Sequence, residues 1–472
     1  MKIFVGNIFG AALSIKRAGK RESRKGGDPG GEEGEEGLRV RMRMRPPREG
    51  GKDQIDEEEV KRREKRPLAG GTRNSGAPLA KRSTTKDKSK RGYPMNRLNI
   101  EEAMNLARQI ATERLAPHAS EIDLSRTFPH EHMDVLGKAG YQGLIVSEAD
   151  GGFGLGRNGL ASVVKELAKA CASTALVFVS HTVVTKAIEL AGTDTVKKTW
   201  LPELIGGRAL GAFAVHEPDS GSNAGAITTK ATKDGNRYIL NGKKFFITSA
   251  GEANLYLVLA RTDPEKGAQG MSTFLVEKGA PGLSFGVPEE KMGLRSTSSR
   301  EMFFDDCRIA ATNLVGQEGE GPQVIGRSVV GWGFFGAAAI SSGIARAATD
   351  LAIQHAKTRT IAGQPIGVHQ AVQFLIADMI LKTEVVESLL ATCANHADDA
   401  PKTAVINGFK AKLYASEMAV EVTNSAIQVL GGHGYCRDHI VERLFRDARG
   451  LTLHFKTSEW LRQDIAKAAL GL

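Results

Sequence analysis

Two histidines, a polar loop and a pair of hydroxyls are the groups in this 472-residue chain best suited to chemistry. His216 lies in FAVHEPDSGSNA (213–224), where a short apolar run ends in a polar, glycine-containing loop. Backbone amides and hydroxyls in such a loop can bind a polar ring edge or a pyrophosphate. Thr248 and Ser249 close another apolar run, FFITSAG, and strand ends are where a β domain presents polar groups to a ligand. His454 stands near the C-terminus, between Leu453 and Phe455. The ordinary pKa of an imidazole suits proton transfer at neutral pH. The simpler reading of each histidine is a hydrogen-bonded structural residue.

Other patterns are less specific. Gly154, Gly156 and Gly159 spell GxGxxG, which is a dinucleotide signature only after a strand and within a βαβ unit. Without that context it reads as a flexible turn. QVLGGHGY (428–435) is a helix stop, either a plain cap or a stretch of bare backbone able to meet a ligand. Arg443, Arg446, Asp447 and Arg449 recur at helical spacing, most simply as a solvated ion-pair face. Cys171, Cys307, Cys393 and Cys436 form no CxxC, so no disulfide scaffold, zinc ribbon or other metal site is expected.

These groups need elements to hold them. Helical periodicity begins at Ile100 and is expected to stop at Pro117. Further helices are expected over 130–139, 158–172, 183–190 and 194–204. Strands are expected over 210–215, 238–247, 255–260, 271–276 and 301–304, with Asn241-Gly242 marking a hairpin turn. From Gly319 three helical runs of 25 residues or more follow, over 324–358, 369–393 and 401–430, and helices this long pack as a bundle. The fold class is therefore mostly α with a central β domain. Its expected divisions are 1–94, 95–208, 209–318 and 319–472.

Charge separates the first part from the rest. Residues 1–95 carry 25 basic and 14 acidic side chains, and the remainder carries 39 and 40. The net charge of +10 thus belongs to the N-terminal extension, and the body offers no electrostatic reason for nucleic-acid binding. Residues 1–94 hold few large apolar side chains and read as disordered. They are a targeting peptide, a basic arm or an upstream start artefact. No run of 18 uncharged apolar residues suggests a membrane span.

Eight segments in order resemble the acyl-CoA dehydrogenase family: RLAPHASEID (114–123), SEADGGFGLG (147–156), FAVHEPDSGSNA (213–224), LNGKKFFITSAGEANLYLVLART (240–262), MGLRSTSSREMFFDDCRI (292–309), IGVHQAVQFLIADM (366–379), QVLGGHGY (428–435) and VERLFRDARG (441–450). The resemblance implies a helical N-terminal domain, a middle β-barrel domain and a C-terminal four-helix bundle. It also implies FAD, an acyl-CoA substrate, an electron-transfer flavoprotein or similar acceptor, and a homotetramer or homodimer. The expected compartment is a bacterial cytoplasm, or a mitochondrion in a eukaryote. Cofactor contacts carried over by the resemblance are Phe213, Val215, His216, Ser222, Phe246, Thr248, Arg359, Gln370, Gln428, Gly431, Gly432, Thr457 and Glu459. Arg359 matches the arginine that holds the FAD pyrophosphate across the subunit interface, and a guanidinium fork suits phosphate. Ser222, Phe334 and Phe455 match substrate-facing positions.

The resemblance breaks at the base. In most members a glutamate takes the weakly acidic α-proton of the thioester. Its position here is Phe455. Some members use the first long C-terminal helix instead; that position is Gly333, and the neighbouring acyl-CoA arginine becomes Phe334. Three readings follow: a dehydrogenase with a relocated base, for which His454 and His216 are the candidates; a flavin oxidase or monooxygenase acting on a non-CoA substrate; or a flavin-binding homologue without turnover.

Overall fold

The folded chain opens on a reciprocal cap. Asn99 accepts the Glu102 amide (2.9 Å), and Glu102 returns a carboxylate to the Asn99 amide (3.1 Å). The computed structural model describes residues 98–472, apart from Ser222 and residues 396–400. The extension expected over 1–94 lies outside the described residues.

Six helices come first: α1 Ile100–Ile110, α2 Ala116–Ser125, α3 His130–Lys138, α4 Gly156–Ala170, α5 Ala172–Ala191 and α6 Asp194–Ile205. Pro117 does not stop the first run. The helix passes through a wide turn at Ala111–Leu115 and resumes, with the proline in the first turn of α2. A wide turn shifts the pairing, and a helix's first turn needs no partner for the donor that proline lacks. The chain ends α2 at Arg126, in the left-handed region. The GxGxxG glycines straddle the start of α4 after a short 3₁₀ turn, with no strand before them among the described residues. They open an ordinary core helix.

The strands are β1 Gly211–Ala214, β2 Lys230–Asp234, β3 Arg237–Ile247, β4 Leu255–Arg261, β5 Met271–Glu277, β6 Leu283–Phe285, β7 Arg300–Ala310 and β8 Leu314–Val315. Their order is β6-β7-β3-β2-β4-β5-β8, with β1 parallel to β4. The hairpin expected at Asn241-Gly242 is displaced. β2 and β3 turn at Gly235-Asn236, and Asn241-Gly242 runs through the middle of β3 at a bulge against β7. Gly242 has φ 144°, and a Cβ there would lie 2.7 Å from Thr229 Cα. The glycine permits a close strand crossing rather than a turn. β4 is buried on both faces: Leu255, Leu257 and Leu259 join the main helical core, while Tyr256, Val258 and Ala260 join a second core.

The remaining elements are α7 Gly321–Ile325, a wide-turned segment Gly326–Gly333, α8 Phe334–Thr358, the small hairpin β9 Thr360–Ile361 and β10 Gln364–Pro365, α9 Gln370–Asn395, α10 Pro401–Leu430, α11 Gly432–Tyr435, α12 Ile440–Leu453 and α13 Ser458–Leu470. α10 packs on α8, α9 and α12, and α8 also packs on α4. Gly431, at φ 61°, ends α10 as expected. α5 and the run Gly321–Thr358 are long and apolar enough to cross a membrane, but 89% and 94% of those windows are buried within the fold. They are core helices, which accounts for their composition.

Candidate active site

A cavity of about 650 Å³ opens where the β domain meets the end of α12. One wall is the end of β1 and the loop after it, with Phe213, His216 and Glu217; a second is the end of β3, with Phe246 and Thr248. The third is the loop Glu289–Leu294, and the fourth is the end of α12, with Leu453, His454 and Phe455. The candidates from distant parts of the chain therefore converge.

The loop after β1 is held by a buried ion pair. Lys244 Nζ lies 2.7 Å from Glu217 Oε1, and the two side chains are 0% and 3% exposed. Glu217 also accepts the Thr228 and Thr229 amides, at 2.6 and 3.0 Å. Burial opposes its charge, but Lys244 and those donors hold the carboxyl well below its usual range. Glu217 is thus committed to structure.

The turn after α12 is equally constrained. Phe455 has φ 60°, a costly conformation for a bulky side chain. Three successive carbonyls are engaged around it. The Lys456 amide donates to His454 (2.7 Å), His216 Nε2 donates to Phe455 (3.1 Å), and Lys412 Nζ donates to Lys456 (2.7 Å) and Thr452 (3.2 Å). Burial pulls buried Lys412 down to about 7, against Glu417 and Glu459. The Phe455 ring stacks on Phe213 at 5.5 Å and meets Phe334 at 5.6 Å. A Cβ on Gly333 would fall 2.6 Å from Phe455 Cε1. The two places where a base could stand are therefore one packed unit: the phenyl ring uses the space that a side chain at 333 would need.

His454 Nε2 lies 3.2 Å from Thr248 Oγ1. Burial, then Lys291, His216 and Lys412, push His454 down to about 3, so it is neutral at pH 7. Burial also lowers His216, while its bond to the Phe455 carbonyl props it up. That bond places a proton on Nε2 and leaves Nδ1 as the acceptor.

Other expected residues are placed elsewhere. Phe334 is buried behind Phe455, against Phe409 at 5.2 Å, and is not part of the cavity lining. Val215 is buried and gives its carbonyl to Lys244. Thr457 stands at the N-terminal boundary of α13 with no side-chain capping bond, and Glu459 is exposed in its first turn. Ser222 falls outside the described residues. Arg359, Gln370, Gln428, Gly431 and Gly432 are all exposed and stand apart from the cavity lining.

The solvated face expected from Arg443 to Arg449 is corrected. Arg443 and Asp447 are buried. Arg443 donates to Ser120 and to the Ala170 carbonyl, and Arg446 pairs with Asp123 and Glu442, each at 2.7 Å. Asp447 accepts the Leu294 amide at 2.6 Å. Helical spacing identifies the side that carries these charges but not what covers it, and here α2 and the Glu289–Leu294 loop do. Lys244, Lys291 and Lys412 also escaped sequence reasoning, because a buried lysine has no pattern of its own.

Three family models together span almost the whole described chain: acyl-CoA dehydrogenase N-terminal domain over 100–208, middle domain over 212–307 and C-terminal domain over 319–470. The chain belongs to the acyl-CoA dehydrogenase family. Acryloyl-CoA reductase (NADH) of Anaerotignum propionicum is 40% identical over 367 residues, covering 77% of this chain and 93% of that one. Butyryl-CoA dehydrogenase from Megasphaera elsdenii superposes with a TM-score of 0.76 at 33% identity, covering 80% of this chain and all of that one. The structure described as PigA with FAD and proline gives 0.75 at 27%, covering 80% and 99%. The acyl-CoA dehydrogenase three-domain fold accounts for the helical, β and helical segments of this chain. The family cofactor is FAD, and the cavity suits it. Phe213, Phe246 and Leu453 line it with apolar faces that could hold a flat ring, and Thr248 adds a hydroxyl that could meet a polar edge.

Proposed function

We propose that this acyl-CoA dehydrogenase removes the α-proton of its thioester without a carboxylate base. The observation that carries this is the Phe455–Gly333 packing, which fills both base positions with one phenyl ring. Bound FAD would supply the hydride acceptor for the β-carbon. Thr248 orients the polar edge of the site, and the aromatic floor excludes water. The proton goes to an imidazole. His216 is the better of the two, because its Nδ1 is available and its carbonyl bond opposes the downward pull of burial. A base as weak as His454 is poorly matched to so weak an acid.

The test is anaerobic bleaching of the flavin near ~450 nm, which reports on the cofactor itself, by straight, branched and cyclic acyl-CoAs. Bleaching that falls at least about 100-fold in H216N, with flavin still bound, supports the reading, since general-base groups contribute roughly that much. Bound flavin that dithionite reduces but no acyl-CoA does would overturn it and favour oxidase chemistry or a silent homologue.

A second copy completes the site in this proposal. α9 exposes Phe374, Leu381 and Val385 along one stripe, beside the exposed Arg359 and Gln370. Such a stripe needs a cover, and a homotetramer or homodimer would bring those polar groups to a neighbour's FAD. An R359M protein that keeps its oligomeric state but loses FAD affinity supports this; unchanged affinity refutes it. Electrons then pass to an electron-transfer flavoprotein or a similar acceptor, in a bacterial cytoplasm or, in a eukaryote, a mitochondrion.

A further inference from the structure

The cavity wall holds a buried ammonium that no hydrogen bond answers among the described residues. Lys291 lines the cavity, and its Nζ is buried with no hydrogen-bond partner among the described residues. Most of its charged neighbours on the wall are engaged. Glu217 is held by Lys244, Arg446 by Asp123 and Glu442, Arg449 by the Thr452 hydroxyl, and Glu290 by Arg126. Glu289, on the same loop, makes no hydrogen bond to Lys291.

This placement is not the accident of a loose loop. The Glu289 amide donates to Ser299 (2.9 Å) at one end. At the other, the Leu294 amide donates to Asp447 (2.6 Å). Between them, Gly293 approaches α12 so closely that a Cβ would lie 2.2 Å from the Arg446 carbonyl oxygen. Burial pulls the ammonium down to about 8; Glu289 pulls the other way, and Arg126 and Arg295 add to the fall. An unpaired cation in such surroundings is unfavourable unless a bound molecule supplies the anion.

We propose that Lys291 compensates the negative charge that enters this cavity on two-electron reduction, its ammonium standing in the wall with no carboxylate hydrogen-bonded to it among the described residues. The inference rests on the flavin reading above. Hydride from the β-carbon carries two electrons and one proton, while the α-proton leaves separately to the base. The cofactor therefore gains one unit of negative charge, and a fixed cation in a water-poor site favours that state over the oxidised one. Lys291 would thus set the driving force without touching the proton that is transferred.

The experiment is a redox titration of the full chain loaded with FAD, with a reference dye, comparing wild type with K291M, K291Q and K291R. Reading the midpoint potential separates this role from binding. K291M and K291Q should lower the midpoint by at least ~30 mV, a tenfold loss of preference for reduced over oxidised FAD in a two-electron couple. K291R should restore most of it, because only charge is required. An unchanged midpoint in both neutral variants overturns the inference, as does an equal loss of affinity for both forms, which would make Lys291 a simple binding contact. Wild type that binds no FAD would sink the flavin reading and this inference with it; bound FAD with an indifferent midpoint sinks the inference alone.

Discussion

Lys244→Met should destabilise the protein by about 3–4 kcal/mol, although Met preserves most of the lysine stem. The magnitude follows from what is left behind. Lys244 and Glu217 are 0% and 3% exposed and 2.7 Å apart, so the substitution strands a buried carboxylate. Breaking a buried pair from one side typically costs about 3–5 kcal/mol. The Thr228 and Thr229 amides and the Thr228 hydroxyl still serve Glu217, which places the expectation in the lower part of that range. At roughly 1.4 kcal/mol per decade, the folded-to-unfolded ratio falls more than a hundredfold. Urea unfolding followed by circular dichroism reads this directly, provided the denaturant slope is unchanged. K244M/E217Q should be less damaging than the sum of its single changes, with a coupling of about 2 kcal/mol, because the double change removes both charges. FAD affinity should fall in K244M as well, since Glu217 anchors the loop that carries His216 into the cavity. A K244M protein within ~1 kcal/mol of wild type would refute the account, because it would mean that water already screens the pair.

Acid should destabilise the fold well above the carboxylate range. Burial lowers His132 and His181 to about 4 and His454 to about 3, so each is protonated in the unfolded chain before the folded one. Stability contributed by these neutral rings is fully present above pH ~6.5 and is lost as pH falls from there towards 4, by up to roughly 3 kcal/mol per ring; melting temperatures between pH 7 and 4.5 check this, and H181N should flatten the dependence. G333A should cost about 1–3 kcal/mol by pressing on the Phe455 ring. Adding F455A should remove that clash, so a double variant no worse than F455A confirms the contact by thermal unfolding. R446M should cost about 3 kcal/mol, leaving Asp123 buried without its fork; a change inside ±0.5 kcal/mol would return Arg446 to the class of surface charges.

Much of the architecture is legible in residue patterning. Long helical runs such as 401–430 carry their period wherever they pack, and β4, apolar at every position from Leu255 to Ala260, feeds two cores by turning alternate side chains to opposite faces. The two errors of local structure have one cause. Pro117 and Asn241-Gly242 are read as punctuation because their local preferences are strong. The surrounding packing overrides them, through a wide turn in one case and a strand bulge in the other. The motifs around 213–224 and 240–262 likewise mark the cavity, because each pairs a strand terminus with small or polar residues, whereas 428–435 marks the end of α10 and stands apart from it.

The chain's own order of residues determines the family, the cofactor and the absence of a carboxylate at 455 and 333, since these depend only on which residue stands at each position. Tertiary structure alone decides what those substitutions mean. Gly333 and Phe455 are 122 positions apart, and only their contact shows that one makes room for the other. The same holds for charge. Arg446 becomes half-buried and paired when α2 meets it, Lys412 becomes a clamp when α10 passes under the end of α12, and Lys291 becomes a cation without a hydrogen-bond partner among the described residues when its loop closes the cavity. Solvation and partners are properties of the assembled environment, and they set whether a charged side chain serves solubility, support or chemistry.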